Sequence, residues 1–282
     1  MKYKEKISFN INLCKQCGFI FLNPRFSEED YKKIYKYEEK ILSLDSSVVE
    51  NYTKRIEYNY NFIKKFYRNN LKDKPNILDY GGNAGYMLLP FLKEYNCYLI
   101  DYFEYELHEG IHYLGRTSAD LKDDIKFNII FSVQVLEHVN NPRNLIEVLG
   151  QKLSEDGILY VQVPLGCLKE WKSLDTPLRH INFFSGQSLY NCFRYAGLKI
   201  IYLKSFFHYG GKVPSRWMLN IIGTKKNRDQ KQPNIKYLST KQQYVLRYFY
   251  FIPYFLLNKK YKLKTIKEDL KKILIKIRRI SA

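Results

Sequence analysis

A carboxylate and a run of glycines stand together where a predicted strand ends. Asp79 lies in the strand Asn76–Tyr80, which leads directly into the turn Gly81-Gly-Asn-Ala-Gly85. Glycines at a strand-to-helix turn let the backbone approach a ligand and place helix N-terminal amides beside it. This turn is one residue shorter than the G-x-G-x-x-G that seats a dinucleotide, and a carboxylate there would repel a pyrophosphate. The pattern favours a cationic, nucleoside-like ligand over a dinucleotide.

A second carboxylate, Asp101, ends the next predicted strand, Cys97–Asp101. An acid at this strand end can accept hydrogen bonds from both ribose hydroxyls of a bound nucleoside. Taken alone, Asp101 is equally compatible with a solvated strand end. The glycine turn that precedes it makes the ribose interpretation the better one.

Two histidines are candidate proton acceptors. His138 follows Glu137 just after the buried run Phe127–Val133, and His180 stands in Arg-His-Ile-Asn-Phe-Phe184. Strand ends at the carboxyl edge of an open α/β sheet are where ligands bind, and histidine has an unperturbed pKa of about 6.5. The pair Glu137–His138 is either catalytic or orders its loop, and His180 is either a general base or a cap for the helix after Ser185.

The elements that position these residues alternate strands with amphipathic stretches between residues 75 and 224, which predicts an α/β fold with a parallel sheet. The pattern around Gly110 to Leu121 is too weak to predict a strand. Helices are predicted over Tyr86–Tyr95, Asn141–Leu153 and Ser185–Ala196, the last ended by Gly197. The predicted strands are Asn76–Tyr80, Cys97–Asp101, Phe127–Val133, Ile158–Val163, Lys199–Leu203 and Trp217–Gly223.

These motifs, taken in order, resemble the class I methyltransferases that use S-adenosylmethionine (SAM). The matching runs are LDYGGNAG, LID, FNIIFSVQVLEHVNNP, EDGILYVQVP and RHINFFS. The resemblance implies a Rossmann-like fold, with a mostly parallel seven-stranded sheet, helices on both faces and an antiparallel last strand. The family usually has glycine where this chain has Asn83, and Asn tolerates left-handed backbone better than other non-glycine residues. The turn is therefore expected to persist.

The resemblance also assigns roles by position. Asp79, Gly81 and Gly85 are expected to line the methionine end of SAM, and Asp101 to hold the ribose. Asp120 is expected to face the adenine amine. Gln134 and Val135 are expected beside the methionine or the sulfonium. His138 and His180 are the expected catalytic residues, and no metal is expected.

A cysteine pair stands near the start of the chain. Cys14-x-x-Cys17-Gly, followed by Asn-Pro-Arg25, resembles the second half of a zinc ribbon that precedes many sugar methyltransferases. Such a ribbon needs four ligands, and no earlier cysteine pair is present. We therefore expect a hairpin without zinc that packs against the catalytic domain. Arg25 and the aromatic helix from Tyr31 are candidates to close over the substrate.

The charge of the chain is concentrated near its end. Residues 225–282 hold 17 Lys and Arg against 3 Asp and Glu, a net +14 of the total +19. A basic tail with interspersed aromatics suits a helix lying on an anionic membrane, and equally a helix packed on the main domain. Nucleic-acid binding is disfavoured because no known RNA-recognition motif is visible. The scattered, odd number of cysteines and the lack of a signal peptide or spanning segment predict a cytoplasmic protein, at most peripheral to the membrane.

Three sections are predicted: a half-ribbon and helical lid over 1–72, a SAM-binding catalytic domain over 73–224, and a basic helical extension over 225–282. The half-ribbon resemblance favours O-methylation of a sugar, a nucleotide-linked sugar or a cell-surface glycan precursor. The alternatives are a small-molecule or lipid-quinone methyltransferase at the membrane surface, and a non-catalytic SAM-binding scaffold. The acceptor and the oligomeric state are left open.

Overall fold

The computed structural model describes residues 10–25, 27, 29, 47–67, 73–166, 180–208, 216–225 and 234–236. The helices of these residues are α1 (Ser47–Ile63), α2 (Pro142–Gln151) and α3 (Gly186–Tyr195), with short 3₁₀ helices at Tyr86–Phe91 and Ser118–Asp120. The strands are β1 (Asn10–Leu13), β2 (Ile20–Asn23), β3 (Asn76–Tyr80), β4 (Asn96–Ile100), β5 (Ile111–Gly115), β6 (Phe127–Val133), β7 (Leu153–Pro164), β8 (Asn182–Phe183), β9 (Lys199–His208), β10 (Arg216–Thr224) and β11 (Asn234–Lys236).

The main sheet has the order β11-β9-β10-β7-β6-β3-β4-β5. Strands β3 to β7 pair in parallel, whereas β10 runs antiparallel to both β7 and β9. Seven of these strands form the predicted Rossmann-like sheet with its antiparallel last strand, so that prediction is confirmed. Strand β11 adds an eighth, short parallel strand at the edge beside β9.

Apolar side chains cover both faces of this sheet. On one face α2 and α3 bury Leu145, Leu149, Leu189 and Phe193. On the other face, the end of α1 and the 3₁₀ helix Tyr86–Phe91 contribute to a second core cluster that includes Phe62, Ile63, Leu88 and Phe91. Strands enclosed in this way are mostly apolar on both faces, and all residues of β6 except Asn128 are buried. The predicted placement of helices on both faces is therefore confirmed.

A second, small sheet has the order β1-β2-β8. The hairpin β1–β2 is antiparallel, and β2 pairs with β8 through Ile20–Phe183 and Phe21–Asn182. The hairpin that carries the cysteine pair is thus joined to the segment that carries His180.

Three element predictions differ from the structure. The predicted helix Tyr86–Tyr95 is a 3₁₀ helix over Tyr86–Phe91, which contains Pro90. Proline lacks a backbone donor and clashes with the preceding turn, which disfavours a regular α-helix there. The region after Gly110, where the pattern is too weak to predict a strand, does form one, β5, and β11 lies inside the section predicted as a basic helical extension.

Residues 31, 35 and 37, predicted as part of an aromatic helix, lie outside the described residues, as does all of the chain after Lys236. The chain divides into two compact units, Met1–Tyr237 and Leu238–Ala282. Among the described helices, none has both the length and the apolar character needed to cross a membrane.

Candidate functional site

The glycine turn after β3 is held tightly against its neighbours. Gly81 has φ 76° and Gly85 has φ 76°, a left-handed conformation that glycine adopts without steric cost. The Gly81 amide donates to the carbonyl of Ile100 at 2.7 Å, which ties the turn to the end of β4. A Cβ atom on Gly81 would lie 2.4 Å from Val135 Cγ2. The turn is therefore packed between the carboxyl ends of β4 and β6.

Asp79 lies beneath this turn, with 1% of its surface exposed. A Cβ atom on Gly82 would lie 2.3 Å from its Oδ2, so the absence of a side chain there makes room for the carboxyl group. Burial, together with the nearby Asp101, raises the pKa of Asp79 to about 7, and the positive charge of Arg55 partly opposes this rise. Within the described residues, Asp79 Oδ2 is buried and accepts no hydrogen bond.

Asp101, just after β4, connects the glycine turn to the following loop. Its Oδ2 accepts a hydrogen bond from the Asn83 amide at 2.8 Å, and its Oδ1 accepts one from the Phe103 amide at 3.0 Å. Burial raises the pKa of Asp101, and these two amides oppose that rise. A carboxylate has about four lone-pair sites, so two further hydrogen bonds can be accepted. Asn83 itself has φ 51°, the left-handed conformation expected of the residue that replaces the family glycine.

Arg55 of α1 is a residue that the sequence did not single out. Its charge lowers the pKa of both Asp79 and Tyr160, which places the guanidinium near the buried carboxylate. Its only sequence signal is an arginine on a helix rich in tyrosine and asparagine, and such a pattern usually marks a solvated face. Only the packing of α1 on the sheet brings this cation close enough to act on the pKa of Asp79.

Asp120 lies at the edge of the site, in the short helix after β5. Its Oδ2 accepts hydrogen bonds from the amides of Arg116 at 2.9 Å and Thr117 at 2.8 Å. These donors hold the pKa of Asp120 below its usual range. Asp120 Oδ2 therefore stabilises the turn. The contact expected with an adenine amine would have to use Oδ1.

Gln134 and Val135 follow β6, across the site from β4. Gln134 has φ 60°, and its amide donates to the carbonyl of Gln162 at 2.8 Å, which turns the chain sharply at the strand end. Val135 packs so closely against Gly81 that its side chain fills the space that a Cβ atom there would need. Val135 thus borders the glycine turn, and Gln134 precedes it directly after β6.

The two candidate bases lie together. The rings of His138 and His180 meet edge to face with centroids 4.8 Å apart, and His138 Nε2 lies 4.0 Å from Glu137 Oε1. Glu137 is buried with 1% of its side chain exposed, whereas 21% of the His138 side chain is exposed. Helix α3 is capped by Ser185 itself, whose side chain accepts from the Ser188 amide. Because Ser185 caps this helix, His180 is not required as its cap.

Asn182 fastens the two histidine-bearing segments to each other. Its side-chain amide donates to the carbonyls of Leu136 at 2.9 Å and Val139 at 2.7 Å, and the Ile181 amide donates to the carbonyl of Glu137 at 2.9 Å. Arg25 donates to Asn182 Oδ1 at 2.7 Å. The loop after β6 and the segment around β8 are thus held in one position, which no local sequence pattern indicates.

The cysteine pair lies in the turn of the N-terminal hairpin. The Gly18 amide donates to the carbonyl of Cys14, and the hydroxyl of Ser185 donates to the carbonyl of Cys17. Hydrogen bonds from nearby groups, chiefly the Cys17 amide, lower the pKa of Cys14, whereas burial raises the pKa of Cys17. The hairpin packs against the start of α3, as expected.

The segment that carries most of these residues matches a known protein family. A family model described as a methyltransferase domain matches residues 52–203, which is more than half of the chain. No curated protein matches the chain.

Solved structures resemble this chain at low sequence identity. One is the 1,6-didemethyltoxoflavin-N1-methyltransferase of Burkholderia thailandensis with bound 1,6-didemethyltoxoflavin and S-adenosylhomocysteine, at 14% identity and a TM-score of 0.55, covering 78% of this chain and 100% of that chain. Another is a putative methyltransferase of Haloferax volcanii in complex with the Trm112 activator, at 14% identity and a TM-score of 0.45, covering 64% of this chain and 99% of that chain.

Proposed function

The chain belongs to the methyltransferase-domain family and is a SAM-dependent methyltransferase, and we propose that it methylates a hydroxyl of a sugar, a nucleotide-linked sugar or a cell-surface glycan precursor. One observation carries the proposal: the buried carboxylate under the glycine turn and the pair His138–His180 border the same edge of the sheet. The carboxylate suits a cationic cofactor, and the histidines suit a hydroxyl acceptor that must lose a proton beside it.

The residues around the glycine turn fit SAM. When bound, SAM supplies an electrophilic methyl carbon on a sulfonium. Asp79 Oδ2 is buried without a hydrogen bond among the described residues, and an ammonium is the kind of group that would satisfy it. The carboxylate must be ionised to do so, although its pKa is raised to about 7 in the absence of a ligand.

Two further residues complete the proposed cofactor site. Asp101 has acceptor capacity left for the ribose hydroxyls after binding the amides of Asn83 and Phe103. Arg55, whose charge lowers the pKa of Asp79, is the cation that we propose for the carboxylate of the methionine part. Gly81 and Gly85 allow the backbone to approach, and Gln134 and Val135 form the wall on the β6 side.

The acceptor is proposed to lie against Glu137, His138 and His180. Methyl transfer is an in-line displacement at carbon, so the acceptor oxygen must be aligned with the methyl group and must lose its proton. The partial exposure of His138 leaves its ring accessible to a ligand. The hydrogen bonds from the side chain of Asn182 connect the segments that carry both histidines.

The choice of a sugar hydroxyl rests on the polar character of this edge and on the hairpin that carries Cys14 and Cys17. Arg25 bonds to Asn182 and to the carbonyl of Ile181, so the hairpin supports the acceptor side of the site rather than the cofactor side. A histidine pair beside such a polar wall suits a hydroxyl acceptor.

Two measurements test the function. Calorimetry with SAM and S-adenosylhomocysteine should show saturable binding to the purified full chain. A screen of nucleotide sugars with methyl-labelled SAM should then give a product whose methyl group mass spectrometry locates on oxygen. Absence of SAM binding would remove the central claim, and transfer only to nitrogen or carbon acceptors would remove the sugar proposal.

A matched pair of variants isolates the acceptor side. His180→Ala should bind SAM with unchanged affinity and lose at least about 100-fold in turnover, the range typical of a proton-transfer group. His108→Ala removes an exposed histidine and should leave both quantities unchanged.

A further inference from the structure

Three metal-type side chains converge at the carboxyl end of β6. The ligand atoms of Glu137, His138 and His180 all lie within 4.8 Å of one another. In the part of the chain that the structure describes, this is the only group of three or more such residues at this spacing. Glu137 is buried while the two imidazoles are partly exposed, so the cluster is closed on one side and open on the other.

The backbone of this cluster is fixed by hydrogen bonds. The amides of Ile181 and Asn182 both donate to the carbonyl of Glu137, at 2.9 and 3.1 Å, and the His138 amide donates to the carbonyl of Val135 at 2.9 Å. The side-chain bonds of Asn182 add two more connections. Residues adjacent in sequence can point to the same side here because Glu137 and His138 lie in a turn. These hydrogen bonds therefore hold the backbones of the three ligand residues next to one another.

We propose that Glu137, His138 and His180 bind one divalent transition-metal ion such as Zn²⁺, Mn²⁺ or Fe²⁺. Two imidazoles and one carboxylate are a ligand set that such ions prefer, whereas Mg²⁺ and Ca²⁺ prefer oxygen ligands. With metal–ligand bonds of about 2.1 Å, tetrahedral ligands lie about 3.4 Å apart. The separation of 4.0 Å between Glu137 Oε1 and His138 Nε2 shows that a small contraction suffices for this pair.

Three protein ligands leave coordination positions on the exposed side of the cluster. Catalytic metal sites keep such open positions for water or substrate. Two neighbouring hydroxyls of a sugar can occupy them together, which narrows the acceptor class to compounds with a vicinal diol. This part of the inference rests on the proposed function, whereas binding of the ion does not.

With the ion bound, the two histidines would act as metal ligands and not as general bases. A hydroxyl held by a divalent ion has a lowered pKa and releases its proton to solvent. The oxygen lone pair then forms a bond to the methyl carbon while the carbon–sulfur bond of SAM breaks and its electrons return to sulfur. The products are a methyl ether, S-adenosylhomocysteine and one proton, with no change in oxidation state.

Metal binding is tested directly on the full chain, after dialysis against a chelator. Titration with Co²⁺ should give one equivalent of visible d–d absorption, and Zn²⁺ should displace it. His138→Ala and His180→Ala should each weaken Co²⁺ binding at least about 100-fold, because losing a direct ligand costs no less than losing its outer-shell support. Glu137→Gln should do the same, and thermal unfolding checks that each variant is folded.

Two controls define the site. His108→Ala should bind Co²⁺ like the unmodified chain, and so should the double variant Cys14→Ser, Cys17→Ser, which removes the competing thiol pair. Absence of Co²⁺ binding, or binding that the two histidine variants leave unchanged, overturns the inference. Since these readouts need no acceptor, they are independent of the proposed function.

Activity separates the two proposals. The chelated protein should bind SAM normally, lose methyl transfer to vicinal-diol acceptors at least about 100-fold, and recover it with Zn²⁺ or Mn²⁺. Full activity in the chelated protein would overturn the role of the ion in methyl transfer and leave the proposed function standing. Metal binding without methyl transfer to any hydroxyl acceptor would overturn the proposed function and leave the metal site standing.

Discussion

At the scale of single residues, Asp79 has the most perturbed environment in the proposed cofactor site. Its burial under Gly82 and the proximity of Asp101 raise its pKa to about 7. A carboxyl group with that pKa is largely protonated at pH 6. It must lose the proton before it can form an ion pair with an ammonium group, so binding of a cation there is linked to proton release.

SAM affinity should therefore rise with pH. From a pKa of about 7, the ionised fraction of Asp79 increases about eightfold between pH 6 and pH 7.5, and the association constant should follow it. Calorimetry at several pH values in buffers of different ionisation enthalpy measures both the affinity and the proton release. Asp79→Asn should bind at least about tenfold more weakly at pH 7.5 and show no pH dependence in this range. A pH-independent affinity of the unmodified chain would contradict the assignment.

Asp79→Asn, which should weaken SAM binding, should increase the stability of the folded chain. Because the folded-state pKa of Asp79 lies above its unfolded value, the folded state binds the proton more tightly. The contribution of Asp79 to the free energy of unfolding is thus favourable at low pH and is lost as pH rises through about 7. Asp79→Asn should therefore gain stability relative to the unmodified chain between pH 5 and pH 8, as measured by urea denaturation at both values. A constant difference between the two proteins would exclude this titration.

Asn83 tests the backbone of the glycine turn. Its φ of 51° is allowed for Asn and Gly but strained for a β-branched residue. Asn83→Gly should leave stability and SAM affinity nearly unchanged, whereas Asn83→Val should lower the free energy of unfolding by about 1 to 2 kcal/mol and weaken SAM binding. Denaturant unfolding and calorimetry measure the two effects. Equal behaviour of the two variants would mean that the left-handed conformation is not required.

At the scale of elements, the hairpin β1–β2 and strand β8 form one unit with the acceptor side of the site. Arg25 lies at the end of this hairpin and donates to Asn182 and to the carbonyl of Ile181. Asn182 in turn holds the loop that carries His138. These hydrogen bonds connect the hairpin to the histidine cluster and not to the glycine turn.

Arg25→Ala should separate the two halves of the site. Loss of its hydrogen bonds should destabilise the chain by about 1 to 3 kcal/mol and lower turnover or acceptor affinity, while SAM affinity stays unchanged. Lys15→Ala, an exposed change in the same hairpin, is the matched control and should alter none of these quantities. Equal loss of SAM affinity and turnover in Arg25→Ala would show that the hairpin acts on the whole domain.

At the scale of the whole molecule, most of the basic charge and the proposed site lie in different parts of the chain. Residues 238–282 form the second compact unit and hold 12 Lys and Arg against 2 Asp and Glu, a net +10. The proposed cofactor and acceptor residues all belong to the first unit, Met1–Tyr237. Removing the second unit should therefore leave the proposed site intact and take away the basic residues that are candidates to bind an anionic surface.

A chain ending at Tyr237 should bind SAM within about threefold of the full chain, because it keeps β11 and all site residues. The full chain should float with anionic vesicles at low salt, and the shortened chain should not, because each basic residue near an anionic surface contributes about 1 kcal/mol. Neutral vesicles and high salt are the controls. Equal flotation of both chains would exclude a membrane role for residues 238–282.

The sequence by itself determined the α/β fold, the glycine turn and the placement of Asp79 and Asp101 at strand ends. These are local features, because strand and turn propensities and the spacing of a carboxylate from its turn depend on neighbouring residues. The tertiary structure decided that His138 and His180 share one cluster with Glu137, that Arg55 lies near Asp79, and that Pro90 leaves a 3₁₀ helix where an α-helix was predicted. It also added β11 and used one oxygen of Asp120 to stabilise a turn. Contacts between segments that are distant in sequence, such as β2 with β8 and α1 with the sheet, follow from long-range packing. Local propensity does not encode such packing.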